Sequence, residues 1–437
     1  MGEDDFTAVA VLGCGTVGLP LAAAFASRGI AVVGCDADAG RLAAIADGSA
    51  CRMQPDLAAA VRAGQDCGLL RFTDRLEPVG QSRAYFVAVP TPWREEIGFD
   101  AGQLDAAIEH ILAVARRRDV ICIRSTVPIG TGAAIARRSG GLDLDVVATP
   151  DRSVEGASYG EQYSIPHLVG ADDPAAADRV ARLLGRLGEV VICGSGAEAE
   201  AAKLLCNAAR DAMFGLANDV GRLFDELGLD GRSIRAAAGR NYQRFSLPAA
   251  RPVGGPCLMK DSLMLLAHAA PDAAPVLRAA RARNQAIPRE VAEVVAAHVA
   301  DFPGARIALL GIAFKGRPAV ADLRGSPALE IAALLRGNHE IIVWDAEVEA
   351  QAAQGKGLGA AASAQAAACG AGAIILANDH PALGDLDFDA LLAAAHPRAL
   401  LYDLCGHTAG RPVALGAGQV LRVLGGGERR GAEGPAR

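Results

Sequence analysis

Residues 11–29, VLGCGTVGLPLAAAFASRG, run from a short apolar stretch through Gly13, Gly15 and Gly18 into an Ala-rich helical pattern. Three glycines at this spacing between strand and helix constrain the fold more than any other feature of the chain. Gly13 permits the tight turn, Gly15 lets a pyrophosphate approach the backbone, and Gly18 lets helix and strand pack closely. Thr16 and Val17 complete the turn, and the helix N-terminus offers N–H groups and a partial positive charge to phosphates. The next strand, AVVGCDAD, ends on Asp36, placed to accept both ribose hydroxyls of an adenosine. A 2′-phosphate there would meet a like charge, so NAD is favoured over NADP. The competing reading is that Asp36 only caps the following helix. Arg41, on that helix, joins the cofactor candidates, although it reads better as a solvated helix residue than as a phosphate ligand.

The strand-turn-helix unit does not stand alone. Runs of strand character (AVAVLG, AVVGCD, AYFVAV, VICIRS, DVVATP) alternate with helical stretches up to about residue 192, which implies a parallel sheet with crossover helices. Residues 198–227 contain no Pro and only two Gly and read as one long helix. Near residues 302–304 the alternation returns as RIALLG, EIIVWD, AIILAN and ALLYDL. The expected fold is therefore α/β, with two Rossmann-like doubly wound domains joined by a long-helix central domain. Expected boundaries are 1–194, 195–301 and 302–424, with 425–437, rich in Gly, Arg and Glu, as a disordered tail. A length of 437 residues suits such a plan.

A net charge of −7 argues against a general nucleic-acid or anionic-membrane binder. The first residues lack a basic stretch followed by an apolar one, and a long uncharged run, 357–378, is mostly small residues; the expectation is a soluble, cytoplasmic protein. Ten cysteines occur without C-x-x-C pairs or metal-ligand spacing, so no metal is expected.

Chemistry concentrates in ARPVGGPCLMKDS, residues 250–262. Gly254 and Gly255 allow a close backbone approach, Cys257 follows, and Asp261 lies one helical turn on. Upstream, EAAKLLCN sets Lys203 and Asn207 at the same i, i+4 spacing on the long helix. A buried lysine is costly unless used, and a cation beside a thiol favours the thiolate.

VLGCGTVGLPLA, VAVPTP, STVPIGTG, TPDRSVEG, EAAKLLCNAARD, GGPCLMKD, and GIAFKG followed by DLRGSPALE together resemble the blocks of the UDP-glucose/GDP-mannose dehydrogenase family, in order and over nearly the whole chain. The resemblance implies NAD-dependent oxidation of a nucleotide sugar's primary alcohol to a carboxylate, with Cys257 as nucleophile. Lys203 and Asn207 would stabilise the oxyanion, and Asp261 with Lys203 would handle the water. Thr126 would lie near the nicotinamide, and Glu155 would be an acid/base or cofactor contact; as plain structure, the two are a strand-end cap and a helix-start carboxylate. Pro90, Thr91 and Ser125 would line the cofactor. Asp151, Arg152, Gly254, Gly255, Lys203 and Lys315 would contact the nucleotide sugar. Arg244 would reach a neighbouring subunit's site, which implies a homodimer. Arg324 is expected to order its own loop with Asp322.

Departures from the family pattern bear on the substrate. Asp151 stands where a Glu is usual, which would put a shorter carboxylate beside the sugar or catalytic water. The stretch Asp403-Leu404-Cys405 replaces an Asp-Gly-Arg-like turn, and Ala346 replaces a proline. The form TPDR resembles members acting on N-acetylated hexosamines. Two other readings stay open: a two-electron hydroxy-acid-type dehydrogenase, which needs no cysteine and no second α/β domain, and a non-catalytic nucleotide-sugar-binding homologue.

Overall fold

A computed structural model describes residue 6 and residues 8–76, 83–139, 142–300, 302 and 304–432. The chain divides into two compact units, one of residues 1–207 with 263–269, the other of residues 208–262 with 270–437.

In the first unit, six parallel strands form the sheet: β1 (Ala8–Leu12), β2 (Ala31–Cys35), β3 (Leu70–Thr73), β4 (Arg83–Val87), β5 (Val120–Ile123) and β6 (Asp145–Ala148), in spatial order 3-2-1-4-5-6. β1 is buried along its whole length because helices cover both faces. Val9 and Val11 pack with Leu21 and Phe25 of the Gly18–Ser27 helix, while Ala10 and Leu12 join the layer of Leu104, Ile108 and Ile111. The strand order reverses between β1 and β4, which leaves a crevice outside their carboxyl ends, the usual ligand position in such sheets.

The second unit repeats the plan. Its strands are β7 (Arg306–Leu310), β8 (Ile341–Trp344), β9 (Gly359–Ala360), β10 (Ala371–Leu376), β11 (Leu400–Asp403), β12 (Val420–Val423) and β13 (Gly427–Arg430), in the order 9-8-7-10-11-12-13. All neighbours are parallel except the last pair. The Pro275–Val299 and Pro327–Leu335 helices cover one face through Ile287, Val291, Val295 and Ile331; Ala367, Leu391 and Leu392 cover the other.

The expected disordered tail is corrected here, since Gly427–Arg430 is an edge strand antiparallel to β12. Composition suggested disorder, but the edge of β12 offers unpaired backbone groups. Gly425 and Gly427, at φ +63° and +81°, make the turn back. Asp225 fixes that turn by accepting from the N–H groups of Gly425 and Gly427 at 3.2 and 3.0 Å. The remainder of the tail, 433–437, lies outside the described residues.

The long helix runs from Gly196 to Glu226. Along its part in the second unit, Asp211, Ala217 and Asn218 are buried, and a Cβ on Gly215 would come within 2.5 Å of Ala280, so this face sits tightly on the Pro275–Val299 helix. The opposite face exposes Met213, Leu216 and Leu223. Among the described residues no helix is long and apolar enough to cross a membrane.

Candidate active site

The glycine-rich turn is shaped as its sequence demands. Gly13 has φ +88°, and a Cβ there would meet the Ala88 carbonyl oxygen at 2.6 Å; one on Gly18 would lie 1.8 Å from the Gly13 oxygen. A Cβ on Gly15, by contrast, would meet nothing within 4 Å, so the open side of the turn is at Gly15. No side chain caps the helix that begins at Gly18; the Leu19 N–H donates to the Gly15 carbonyl at 3.1 Å and Pro20 has none, so what this end offers a pyrophosphate is chiefly the partial positive charge of the helix. Thr16 is exposed and Val17 half-buried beside it.

Asp36 does not cap the next helix; Asp38 does, accepting from the N–H groups of Gly40 and Arg41 at 2.8 and 3.2 Å. Instead the Asp36 carboxylate accepts from the Cys14 N–H at 2.7 Å and the Asp38 N–H at 2.9 Å. It is thus held against the glycine-rich turn with further lone pairs available for ribose hydroxyls. Arg41 is exposed. These features fit NAD: an open glycine cradle for the pyrophosphate and a fixed carboxylate that repels a 2′-phosphate.

Across the crevice, the ends of β4 and β5 are stitched together. Thr91 donates its hydroxyl to the Thr126 carbonyl at 2.6 Å, and Ser125 donates to the Val89 carbonyl at 2.7 Å. The hydroxyls of Thr91 and Ser125 are therefore engaged by backbone, whereas Pro90 is exposed and Thr126 and Glu155 are half-buried. Glu200, which sequence reasoning missed, ties the loop after Thr126 to the long helix. Its carboxylate accepts from Gly130 and Gly132 N–H groups at 2.6 and 2.8 Å, and burial lifts its pKa above the ordinary value despite them. Lys203, one turn on, is 6% exposed, and Asn207 is half-buried on the same face.

Asp151, expected beside the sugar or catalytic water, has a partner within the protein. Its side chain is buried and turned onto Arg124, 2.7 Å away, which also donates to Gln162 and to the Thr149 carbonyl. Burial by itself would raise the Asp151 pKa, but Arg124, the Ser153 hydroxyl and the charge of Lys203 outweigh it and hold the carboxyl below its usual range. The shorter side chain is therefore matched to an internal arginine. His167, beside Arg124, is pushed down to about 4 by burial and by that charge, so it is neutral near pH 7. Arg152 donates to the Pro166 carbonyl.

In the second unit, Cys257 is exposed at the start of the Leu258–Leu266 helix, and its carbonyl accepts from the Asp261 N–H at 3.0 Å. Asp261 is fully buried and paired with Lys260 at 3.0 Å. Lys260 escaped the sequence reading although it adjoins Asp261 in the motif. Gly254 and Gly255 are required by the protein itself: Cβ atoms there would lie 2.4 Å from Pro327 and 2.5 Å from the Phe314 ring. Lys315 is half-buried, its ammonium 5.4 Å from the Phe314 ring centre. Arg324 pairs with Asp322 through two nitrogens, as expected. Arg244 is exposed on the segment after the Gly231–Gly239 helix. Asp403 is buried and closes its own turn by accepting from Cys405, Gly406 and Thr408. Beneath that turn Arg232 donates to the Cys405 carbonyl at 3.1 Å. Among the described residues no cluster of three or more His, Cys, Asp or Glu could hold a metal.

Comparison with known proteins accounts for this arrangement. Residues 7–187 match the NAD binding domain of the UDP-glucose/GDP-mannose dehydrogenase family, 197–286 its central domain, and 308–409 its UDP binding domain. An NDP-N-acetyl-D-galactosaminuronic acid dehydrogenase of Ralstonia nicotianae is 31% identical over 75% of this chain and 79% of its own length. The UDP-N-acetyl-D-mannosamine dehydrogenase of Escherichia coli is 30% identical over 76% of this chain and 84% of its own. A solved UDP-D-ManNAc dehydrogenase from Pyrococcus horikoshii superposes with a TM-score of 0.85 at 28% identity, covering 95% of this chain and 99% of that one. With the three family domains matched in order on a sheet-helix-sheet plan, the chain belongs to the UDP-glucose/GDP-mannose dehydrogenase family and is an NAD-dependent nucleotide-sugar dehydrogenase.

Proposed function

We propose that this dehydrogenase oxidises the C6 primary alcohol of a UDP-N-acetylhexosamine to a carboxylate in two two-electron steps, with Cys257 as covalent catalyst. The observation that carries the reading is an exposed cysteine at a helix start, with the buried Asp261, paired to Lys260, one turn behind it. The substrate class is supported by relatives named for N-acetylated sugars. Overall, one alcohol, one water and two NAD give one carboxylic acid, two NADH and two protons. Bound NAD supplies the hydride acceptor in each oxidation.

The residues then have distinct tasks. The Cys257 thiolate adds to the aldehyde carbon, giving a thiohemiacetal whose further oxidation leaves a thioester; water cleaves the thioester, releasing the acid and restoring the thiol. Negative charge builds on the former carbonyl oxygen in both the addition and the hydrolysis. Lys203 and Asn207 supply donors of the right kind for it, a cation and an amide N–H. Asp261 and Lys203 orient the water and take up its proton, and Thr126 and Glu155 serve proton transfer beside the nicotinamide. Lys315, Arg152, Gly254 and Gly255 hold the sugar nucleotide. Asp151 contributes through Arg124.

The test is a panel of UDP-glucose, UDP-N-acetylglucosamine, UDP-N-acetylmannosamine and GDP-mannose, with NADH and product counted together. The expected result is two NADH per sugar, a carboxylate product, no accumulating aldehyde, and the highest kcat/KM on an N-acetylated sugar. One NADH per sugar with an aldehyde or ketone as sole product would establish the two-electron alternative.

The enzyme is further proposed to be a homodimer built on the long helix. Met213, Leu216 and Leu223 are 38%, 55% and 50% exposed, an apolar stripe that a lone chain leaves in water. Light scattering is expected to give twice the 44.7 kDa chain mass, and Leu216→Glu with Leu223→Glu should shift the protein to monomer. Arg244→Ala should weaken substrate binding if it crosses that interface. A fully active wild-type monomer would remove both assignments.

A further inference from the structure

We propose that Asp379 is a positioning residue: through Arg251 it ties the segment carrying Cys257 to the Phe314-Lys315-Gly316 loop, so that a nucleotide held by that loop sets the disposition of the thiol. The inference rests on the nucleotide-sugar reading above and adds a coupling that this reading does not contain.

Asp379 follows β10 at the carboxyl edge of the second sheet. Its two oxygens are divided between two partners. Oδ1 accepts from the Gly316 N–H at 2.7 Å, and Oδ2 accepts from the Arg251 guanidinium at 2.9 Å. The loop is pressed home at this point, because a Cβ on Gly316 would lie 2.0 Å from the His380 nitrogen. Arg251 is fixed at its other end, its N–H donating to Asn218 at 2.8 Å and its guanidinium lying 5.4 Å from the Phe214 ring centre. Four residues further, Gly255 donates to the Gly325 carbonyl at 2.9 Å and sits against Phe314. The Phe314 N–H donates to the Asp322 carbonyl at 3.0 Å. The stretch from Arg251 to Cys257 is therefore gripped at its start and its middle by the two loops that flank Lys315.

The pair is part-buried, its side chains 33% and 16% exposed, so removing one partner leaves the other's charge without its match. What a carboxylate provides, and an amide cannot, is two acceptor oxygens for two donors at once. In Asp379→Asn one partner would face an NH2 group, and one end of the tie would open.

The experiment measures iodoacetamide modification of Cys257, read by peptide mass spectrometry, with and without UDP, in wild type, Asp379→Asn, Arg251→Gln and the double variant. UDP carries no sugar to cover the thiol, so a change in rate reports a change in its setting. UDP should alter the wild-type rate severalfold. Each single variant should remove that response, with NAD affinity unchanged and kcat lowered by about tenfold, and the double variant should be no worse than either single one. Melting temperatures within a few degrees of wild type would show that all variants fold, and Arg251→Gln, at the more exposed partner, serves if Asp379→Asn does not. Unchanged UDP responses in the variants, or independent effects that multiply in the double variant, would overturn the coupling alone. Failure of the wild type to bind UDP by calorimetry would instead overturn the nucleotide-sugar reading, and this inference with it.

Discussion

Cys257→Ala should eliminate net acid formation while leaving the fold and NAD binding intact. The thiol is exposed, so its removal opens no buried cavity, and its stability cost should stay within about 0.5 kcal/mol. Any loss of turnover is then chemical. Without the sulfur, the aldehyde has no covalent partner for the second oxidation, and acid production should fall by at least about a thousandfold, the scale on which a lost nucleophile is felt. Cys257→Ser is expected to differ in kind: an alkoxide leaves less readily than a thiolate, so an ester should accumulate on Ser and appear as added mass on the intact protein. The decisive measurement is acid and NADH per sugar for the three proteins side by side. A Cys257→Ala enzyme that still delivers two NADH per sugar at a rate close to wild type would remove the cysteine from the mechanism.

Lys203→Ala should lower kcat by roughly a hundredfold, the cost of losing one preorganised oxyanion donor, while the KM for NAD stays close to wild type. A structural explanation must be weighed, because Lys203 is 6% exposed and its charge helps hold the Asp151 carboxyl low. That electrostatic duty is shared: Arg124 stands 2.7 Å from Asp151 and its influence ranks ahead of that of Lys203. Removing Lys203 therefore leaves the carboxylate paired, and the fold should survive. Lys203→Arg retains the charge but moves it along a longer, planar head, so it should recover little of the rate. Parallel loss of thermal stability and activity across these variants, with no separation of kcat from KM, would identify Lys203 as a structural cation.

What the sequence determined by itself is local in origin. The glycine spacing, the strand-helix alternation and the uninterrupted helical run each depend on the conformational preferences of neighbouring residues, and all three appear in the structure where the letters place them. The spacing of Lys203 to Asn207 and of Cys257 to Asp261 is of the same kind, since one helical turn joins each pair. Ordered blocks such as GGPCLMKD and TPDRSVEG then carried the family.

Tertiary structure decided where the remaining bonds of the charged side chains go, because their partners are distant in sequence and no local pattern encodes them. Asp151 reads in the sequence as a shortened sugar-facing carboxylate, yet Arg124 claims it inside the protein. On paper Asp36 could serve the ribose or cap the next helix; in the structure Asp38 is the cap, and Cys14 in the glycine-rich turn donates to Asp36. Residues 425–432 have the composition of a mobile tail, but an open sheet edge and the Asp225 carboxylate give their backbone groups partners. Asp379 carries no signal at all until folding brings Gly316 and Arg251, 63 and 128 residues away from it, to its two oxygens. Composition and periodicity report what a residue prefers, but a carboxylate's partner is fixed by which donors the completed fold leaves within hydrogen-bond reach.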